Sequence, residues 1–163
     1  MITIETMLPE HWEQVKDIYQ QGIKTGNATF ETTAPKWEAW NNAHMQECRL
    51  VAIEDNKVIG WAALVFVSSR CVYAGVAENS IYISSSAQGK GVGKLLLKTL
   101  IEESEKIKIW TIQTGIFPEN IASIKIHEAV GFRIIGKRER IGKMNGVWRD
   151  TLFLERRSDK VGI

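Results

Sequence analysis

Gln88-Gly89-Lys90-Gly91-Val92-Gly93 sits between a β-rich segment and an apolar-periodic one, and it restricts the possible folds more than any other stretch of the chain. Upstream, residues 75–85 centre on Ile81-Tyr82-Ile83, a strand signature. Downstream, Val92, Leu96, Leu97, Leu100 and Ile101 recur at helical spacing. A glycine-rich turn from strand to helix leaves the first helical amides unpaired and the positive end of the helix dipole open. Glycines let a phosphate approach that backbone, and Lys90 and Lys94 add positive charge. Two common phosphate patterns fail here. The dinucleotide pattern G-x-G-x-x-G meets Leu96 at its third glycine after Gly91 and Gly93, and the Walker pattern meets Gln88 at its first glycine and Leu95 after Lys94.

The remaining segments supply the context for that turn. Residues 2–7 alternate as a strand. Pro9 precedes a helix carrying Trp12, Val15, Ile18, Tyr19 and Ile23, which ends near Gly22 and Gly26. Residues 27–34 have no period and read as a loop, after which Pro35 opens a second helix with Trp37, Trp40 and Met45. Leu50–Ile53 and Val58–Val67 form a hairpin around Asp55-Asn56. Lys108–Ile116 reads as a strand, and Asn120 opens a helix that stops at Gly131. Phe132–Gly136 and Val147–Leu154 are the last strands, separated by a polar stretch containing Asn145-Gly146. This order predicts a mixed α/β (α+β) layer architecture around one sheet. With no repeat and no linker, one domain is expected over residues 1–157, with 158–163 as a loose tail.

Composition narrows the function. The 163 residues, 44% of them apolar, suffice for one domain with a sizeable core. A formal net charge of +2, with acids and bases intermixed, gives no reason to expect a nucleic-acid partner. Cys48 and Cys71 show neither metal-ligand nor disulfide-framework spacing, so no metal site and a reducing compartment are expected. No secretory signal opens the chain, and the apolar run Trp61–Val67 is too short to span a bilayer. The expectation is a cytoplasmic protein with no membrane association.

The turn does match [Q/R]-x-x-G-x-[G/A], through Gln88, Gly91 and Gly93. This resembles the pyrophosphate loop of the GNAT superfamily of N-acetyltransferases. One strand further on, Asn120, Ser123, His127, Gly131 and Phe132 match a second segment of that family, N-x-x-[S/A]-x-x-x-[Y/H]-x-x-x-G-[F/Y]. The resemblance implies the GNAT fold, a mostly antiparallel twisted sheet of about seven strands flanked by about four helices. It also implies acetyl-CoA as acetyl donor, held by Ile83, Ser84, Ser85, Gln88, Gly89, Lys90, Gly91, Val92, Gly93, Lys94, Asn120, Ser123 and His127. Many GNAT enzymes carry a Tyr at the position of His127 and use it as acid toward the departing thiolate. Imidazole could serve so, but the residue reads instead as packing beside the donor.

Four further stretches are similar to the phosphinothricin and methionine sulfoximine acetyltransferase subgroup: Glu78–Ile83, Ile126–Phe132, Asn145–Asp150 and Asn27–Phe30. That subgroup implies a homodimer and a small amino-acid-like acceptor. A free amino acid's amine is mostly protonated at neutral pH and must lose a proton before it attacks a thioester. The subgroup uses the glutamate at the position of Glu78 as this base. A backbone amide at Ile83 or a neighbour would polarise the thioester carbonyl, and no acyl-enzyme is required. An anionic acceptor calls for a cation, and Arg70 occupies the corresponding region, with Tyr73 and Phe30 as possible pocket walls. Acetylation of a protein N-terminus or a polyamine stays open as an alternative, as does a non-catalytic acetyl-CoA-binding module.

Overall fold

The computed structural model describes residues 1–163. In chain order the elements are β1 (Thr3–Thr6), α1 (Trp12–Thr25), α2 (Trp37–Ala43), β2 (Leu50–Glu54), β3 (Lys57–Phe66), β4 (Val76–Ile83), α3 (Val92–Lys106), β5 (Thr111–Ile116), α4 (Ile121–Ala129), β6 (Arg133–Met144) and β7 (Val147–Arg157). The strands form one seven-stranded sheet in the order β1-β2-β3-β4-β5-β7-β6. Every pairing is antiparallel except β4 with β5. The expected mixed α/β architecture of seven strands and four helices is therefore present.

β3 is buried on both faces, which explains its near-continuous apolar sequence. Its alternate residues feed two cores. Trp61 and Ala63 join Trp12, Val15, Ile18 and Trp40 beneath α1 and α2. Ala62 and Leu64 join Leu96, Leu97 and Leu100 beneath α3. The first core is an aromatic stack, in which Trp61 lies 4.9 Å from Tyr82 and 5.6 Å from both Tyr19 and Trp40 by ring centroids. The helix limits follow local chemistry. Gly26, in the left-handed region at φ 73°, ends α1, and the Asn120 side chain accepts from Ser123 N–H at 3.3 Å to cap α4.

One strand differs from the sequence expectation. β6 runs for 12 residues rather than stopping at Gly136, and it forms a long hairpin with β7. Asn145 and Gly146 both have positive φ (50° and 79°), the backbone of a tight hairpin turn. β6 is an edge strand, exposed nearly throughout and rich in charge, so it shows no apolar alternation to read. The last six residues, expected as a loose tail, carry several tethers. Ser158 is buried and its hydroxyl donates to Glu105 at 2.9 Å, while Arg157 donates to the carbonyls of Val161 and Gly162. Burial would raise the Glu105 pKa, but the bonds from Ser158 and Arg156 and the charge of Lys160 outweigh it and hold the carboxyl below its ordinary value. No helix is long and apolar enough to cross a membrane.

Candidate active site

β4 and β5 pair only at Val76–Glu78 with Thr111–Gln113, yet both continue beyond that point. They splay apart, and a cleft of about 340 Å³ opens between them. The two faces of this cleft differ. Ile81 and Ile83 pack toward the α3 side, whereas Tyr82 packs into the aromatic core under α1. Glu78 and Ser80 therefore share the α1 face with Tyr82, and Asn79 shares the α3 face with Ile81. The cleft passes through the sheet and joins the two sides.

The main chain contributes as well. Val67 N–H bonds Val76 O and Ser84 N–H bonds Ile59 O, so even-numbered β4 residues point their amides at β3. The amides of Ile81 and Ile83 then face the gap, beyond the last β5 partner. These are donors placed where a carbonyl in the gap could be polarised. The α3 end lies alongside. Gly91 is its N-cap at φ 79°, with no side-chain cap, and Leu95 N–H is the first helical amide bonded, to Gly91 O at 3.1 Å. A Cβ on Gly89 or Gly91 would meet nothing within 4 Å, so the turn borders open space. A Cβ on Gly93 would sit 2.9 Å from Ile126, which brings the start of α3 against α4. Free amides, a helix N-terminus and open space fit a pyrophosphate.

The expected donor-side residues group in two places. Asn120, Ser123 and His127 line the cleft. Gln88 to Lys94 form the turn and first residues of α3, where Gln88 Nε2 donates to Ile83 O at 3.4 Å and Lys90 pairs with Glu54 at 2.9 Å. Ser84 and Ser85 join β4 to that turn, and Ser85 N–H donates to Gln21 Oε1 at 2.8 Å. Val92 is buried in the core, 1% exposed, so only its main chain can meet a ligand.

His127 is also 1% exposed. Its Nδ1 lies 2.7 Å from Ser123 O and must carry the proton to donate there. Nε2 is then the acceptor for Asn79 Nδ2 at 3.1 Å. Burial lowers the imidazole pKa, with the Ser123 carbonyl pulling partly the other way, and the ring is neutral.

On the α1 side, Glu78 and Phe30 line the cleft. Gln113 Nε2 donates to Glu78 Oε2 at 3.3 Å, and no protein group bonds the other carboxylate oxygen. Phe30 packs edge-on against Phe117 with centroids 4.8 Å apart. Arg70 and Tyr73, expected at the acceptor, are not brought into this wall. Both are exposed at the β3–β4 connection, before β4 begins, with the guanidinium 5.5 Å from the Tyr73 ring, whereas the cleft opens only past Glu78. Cys48, half-buried, has its thiol pushed up to about 12 by burial and by Glu103 and Glu47, which makes a poor nucleophile. Asn79, Arg138, Ile141 and Thr151 also line the cleft; Asn79 falls within the Glu78–Ile83 stretch without an assigned role, and no sequence motif covers the other three.

Comparison with known proteins agrees with this geometry. Residues 12–132 match the acetyltransferase (GNAT) family. The chain is 30% identical over 165 residues to a phosphinothricin N-acetyltransferase of Alcaligenes faecalis, covering 94% of this chain and 81% of that protein. It is 32% identical over 111 residues to an L-methionine sulfoximine/L-methionine sulfone acetyltransferase of Salmonella typhimurium, covering 68% of this chain and 65% of the other. The solved structure of a phosphinothricin acetyltransferase from Sinorhizobium meliloti, in complex with acetyl-CoA, superposes with a TM-score of 0.87 at 28% identity, over 99% of this chain and 90% of that one. With its splayed β4 and β5, its uncapped glycine turn at α3 and this kinship, the chain belongs to the GNAT family of acetyltransferases and is an N-acetyltransferase that draws its acetyl group from acetyl-CoA.

Proposed function

We propose that the protein acetylates the α-amino group of a small amino-acid-like acceptor, of the kind represented by L-phosphinothricin and methionine sulfoximine. The observation that carries this reading is the position of Glu78. It stands at the last paired residue before the splay, on the face opposite the donor-side helix ends, with one carboxylate oxygen uncommitted. The names of the two relatives support the acceptor class.

The donor supplies a thioester carbonyl. Asn120, Ser123 and the Gln88–Lys94 turn hold it from the α3 side, and the Ile81 and Ile83 amides polarise that carbonyl. On the α1 side, Glu78 takes the proton of the acceptor's ammonium, directly or through a water. The amine nitrogen then bonds the acetyl carbon. As the carbon–sulfur bond breaks and its electron pair leaves on sulfur, the surplus proton of that nitrogen passes to the sulfur, directly or through a water, so that an amide and free thiol are released. His127 holds the wall rather than protonating that sulfur, because its cleft-side nitrogen already accepts from Asn79. No protein nucleophile takes part. The subgroup likeness further supports a homodimer, and the two cysteines without disulfide-framework spacing support a reducing, cytoplasmic setting.

The test is release of free thiol from acetyl-CoA against a panel of amino acids, amino-acid analogues, polyamines and peptides. Release with phosphinothricin, methionine sulfoximine or methionine sulfone is expected. Release with peptides or polyamines alone would replace the acceptor and leave the reaction class standing.

A further inference from the structure

The acceptor half of the cleft contains one basic side chain, Arg138 on β6. The register sets its direction. Leu154 belongs to the core under α3, so the odd-numbered residues Thr151 and Phe153 of β7 face the α1 side. Arg138 pairs with Thr151 and shares that face, which is also the face of Glu78. Between Arg138 and Gly142 the β6–β7 register shifts. Arg140 sits at φ 48° there, and its N–H donates to Asp150 Oδ1 at 2.7 Å, which pins the irregularity. Such an irregularity re-aims the residues that follow, and Ile141 joins Arg138 in lining the cleft.

Arg138 is also uncommitted. Its guanidinium lies over the Phe153 ring, 4.4 Å from the centroid, a contact that leaves the N–H edges free. It forms no hydrogen bond or ion pair within the chain, as is also true of the Arg140 and Lys143 side chains, which do not line the cleft; the other nearby basic groups are engaged. Arg149 donates to Gly26 O, Asn27 Oδ1 and Glu119, Arg133 pairs with Glu155, and Lys137 lies near Glu139. The α1 side of the cleft thus offers one carboxylate with an uncommitted oxygen and one guanidinium with free N–H edges, the complement of a zwitterion.

We propose that Arg138 binds the carboxylate of the acceptor while Glu78 receives its ammonium proton. The inference rests on the amino-acid reading above and assigns its specificity to one side chain. A guanidinium held flat by an aromatic ring presents paired N–H donors to a carboxylate and can bond both oxygens.

The experiment compares L-methionine sulfone with its α-carboxamide as acceptors, for the wild type and for Arg138→Gln, Arg138→Lys and Arg70→Gln. The wild type is expected to prefer the acid, and Arg138→Gln to raise the KM for the acid by about 10- to 100-fold, erasing that preference. The KM for acetyl-CoA stays unchanged, and Arg138→Lys restores part of the loss. Retention of the preference in Arg138→Gln, or its loss in Arg70→Gln instead, overturns the assignment while the acceptor class stands. Failure of the wild type to acetylate either compound overturns the acceptor reading and the anchor together.

Discussion

Glu78→Gln lowers kcat at neutral pH by about 100- to 10,000-fold, the usual contribution of a positioned general base. Glutamine keeps the size of the side chain and its contact with Gln113, so the fold and the donor half are untouched and the KM for acetyl-CoA holds. What disappears is the group proposed to take the ammonium proton. The deficit should shrink as pH rises toward the acceptor's own pKa, because the amine then arrives already deprotonated. Steady-state kinetics across pH reads both effects. A variant with full turnover at neutral pH would remove Glu78 from the mechanism, and a deficit that did not depend on pH would point to a positional role instead.

Trp61→Ala destabilises the fold by about 3–5 kcal/mol, the range for removing a large aromatic side chain from a packed core. Trp61 is 0% exposed at the centre of the sheet and touches rings from three other elements: Tyr19 of α1, Trp40 of α2 and Tyr82 of β4. Tyr82 lines the cleft, so the loss reaches the acceptor wall as well. The indole Nε1 has no hydrogen-bond partner, so Trp61→Phe, which keeps a ring and discards that buried donor, costs much less. Urea unfolding reads the difference as a lower midpoint at unchanged slope. A shift below about 1 kcal/mol in the alanine variant would show that the surrounding rings collapse into the space.

The parts of the site that were legible in the sequence are those with local chemistry. Gly91 must adopt a left-handed backbone at an uncapped helix start, and Asn120 caps α4 through a bond to a residue three positions on. Such short-range constraints leave marks on adjacent letters. Glu78 was legible through the likeness of its strand to that of the subgroup, a strand that leads into the same turn. Arg138 was not, because its place depends on the register of β6 against β7 and on a sheet order that sets β6 beyond β7. Arg70 instead stood close to Glu78 in sequence, and the β3–β4 connection carries it outside the cleft. The Asn79–His127 pair spans 48 positions and is likewise a product of tertiary packing. β6 itself was only partly visible, since a charged edge strand has no buried face to alternate with.

In the proposed reaction, donor and acceptor enter from opposite faces and meet in the gap between β4 and β5, with no acetyl group parked on the protein. Initial rates at several fixed concentrations of acetyl-CoA, with methionine sulfone varied, test it most directly. Intersecting double-reciprocal lines are expected, because both substrates must occupy the cleft together. Parallel lines, the fingerprint of a covalent acetyl-enzyme, would contradict the account.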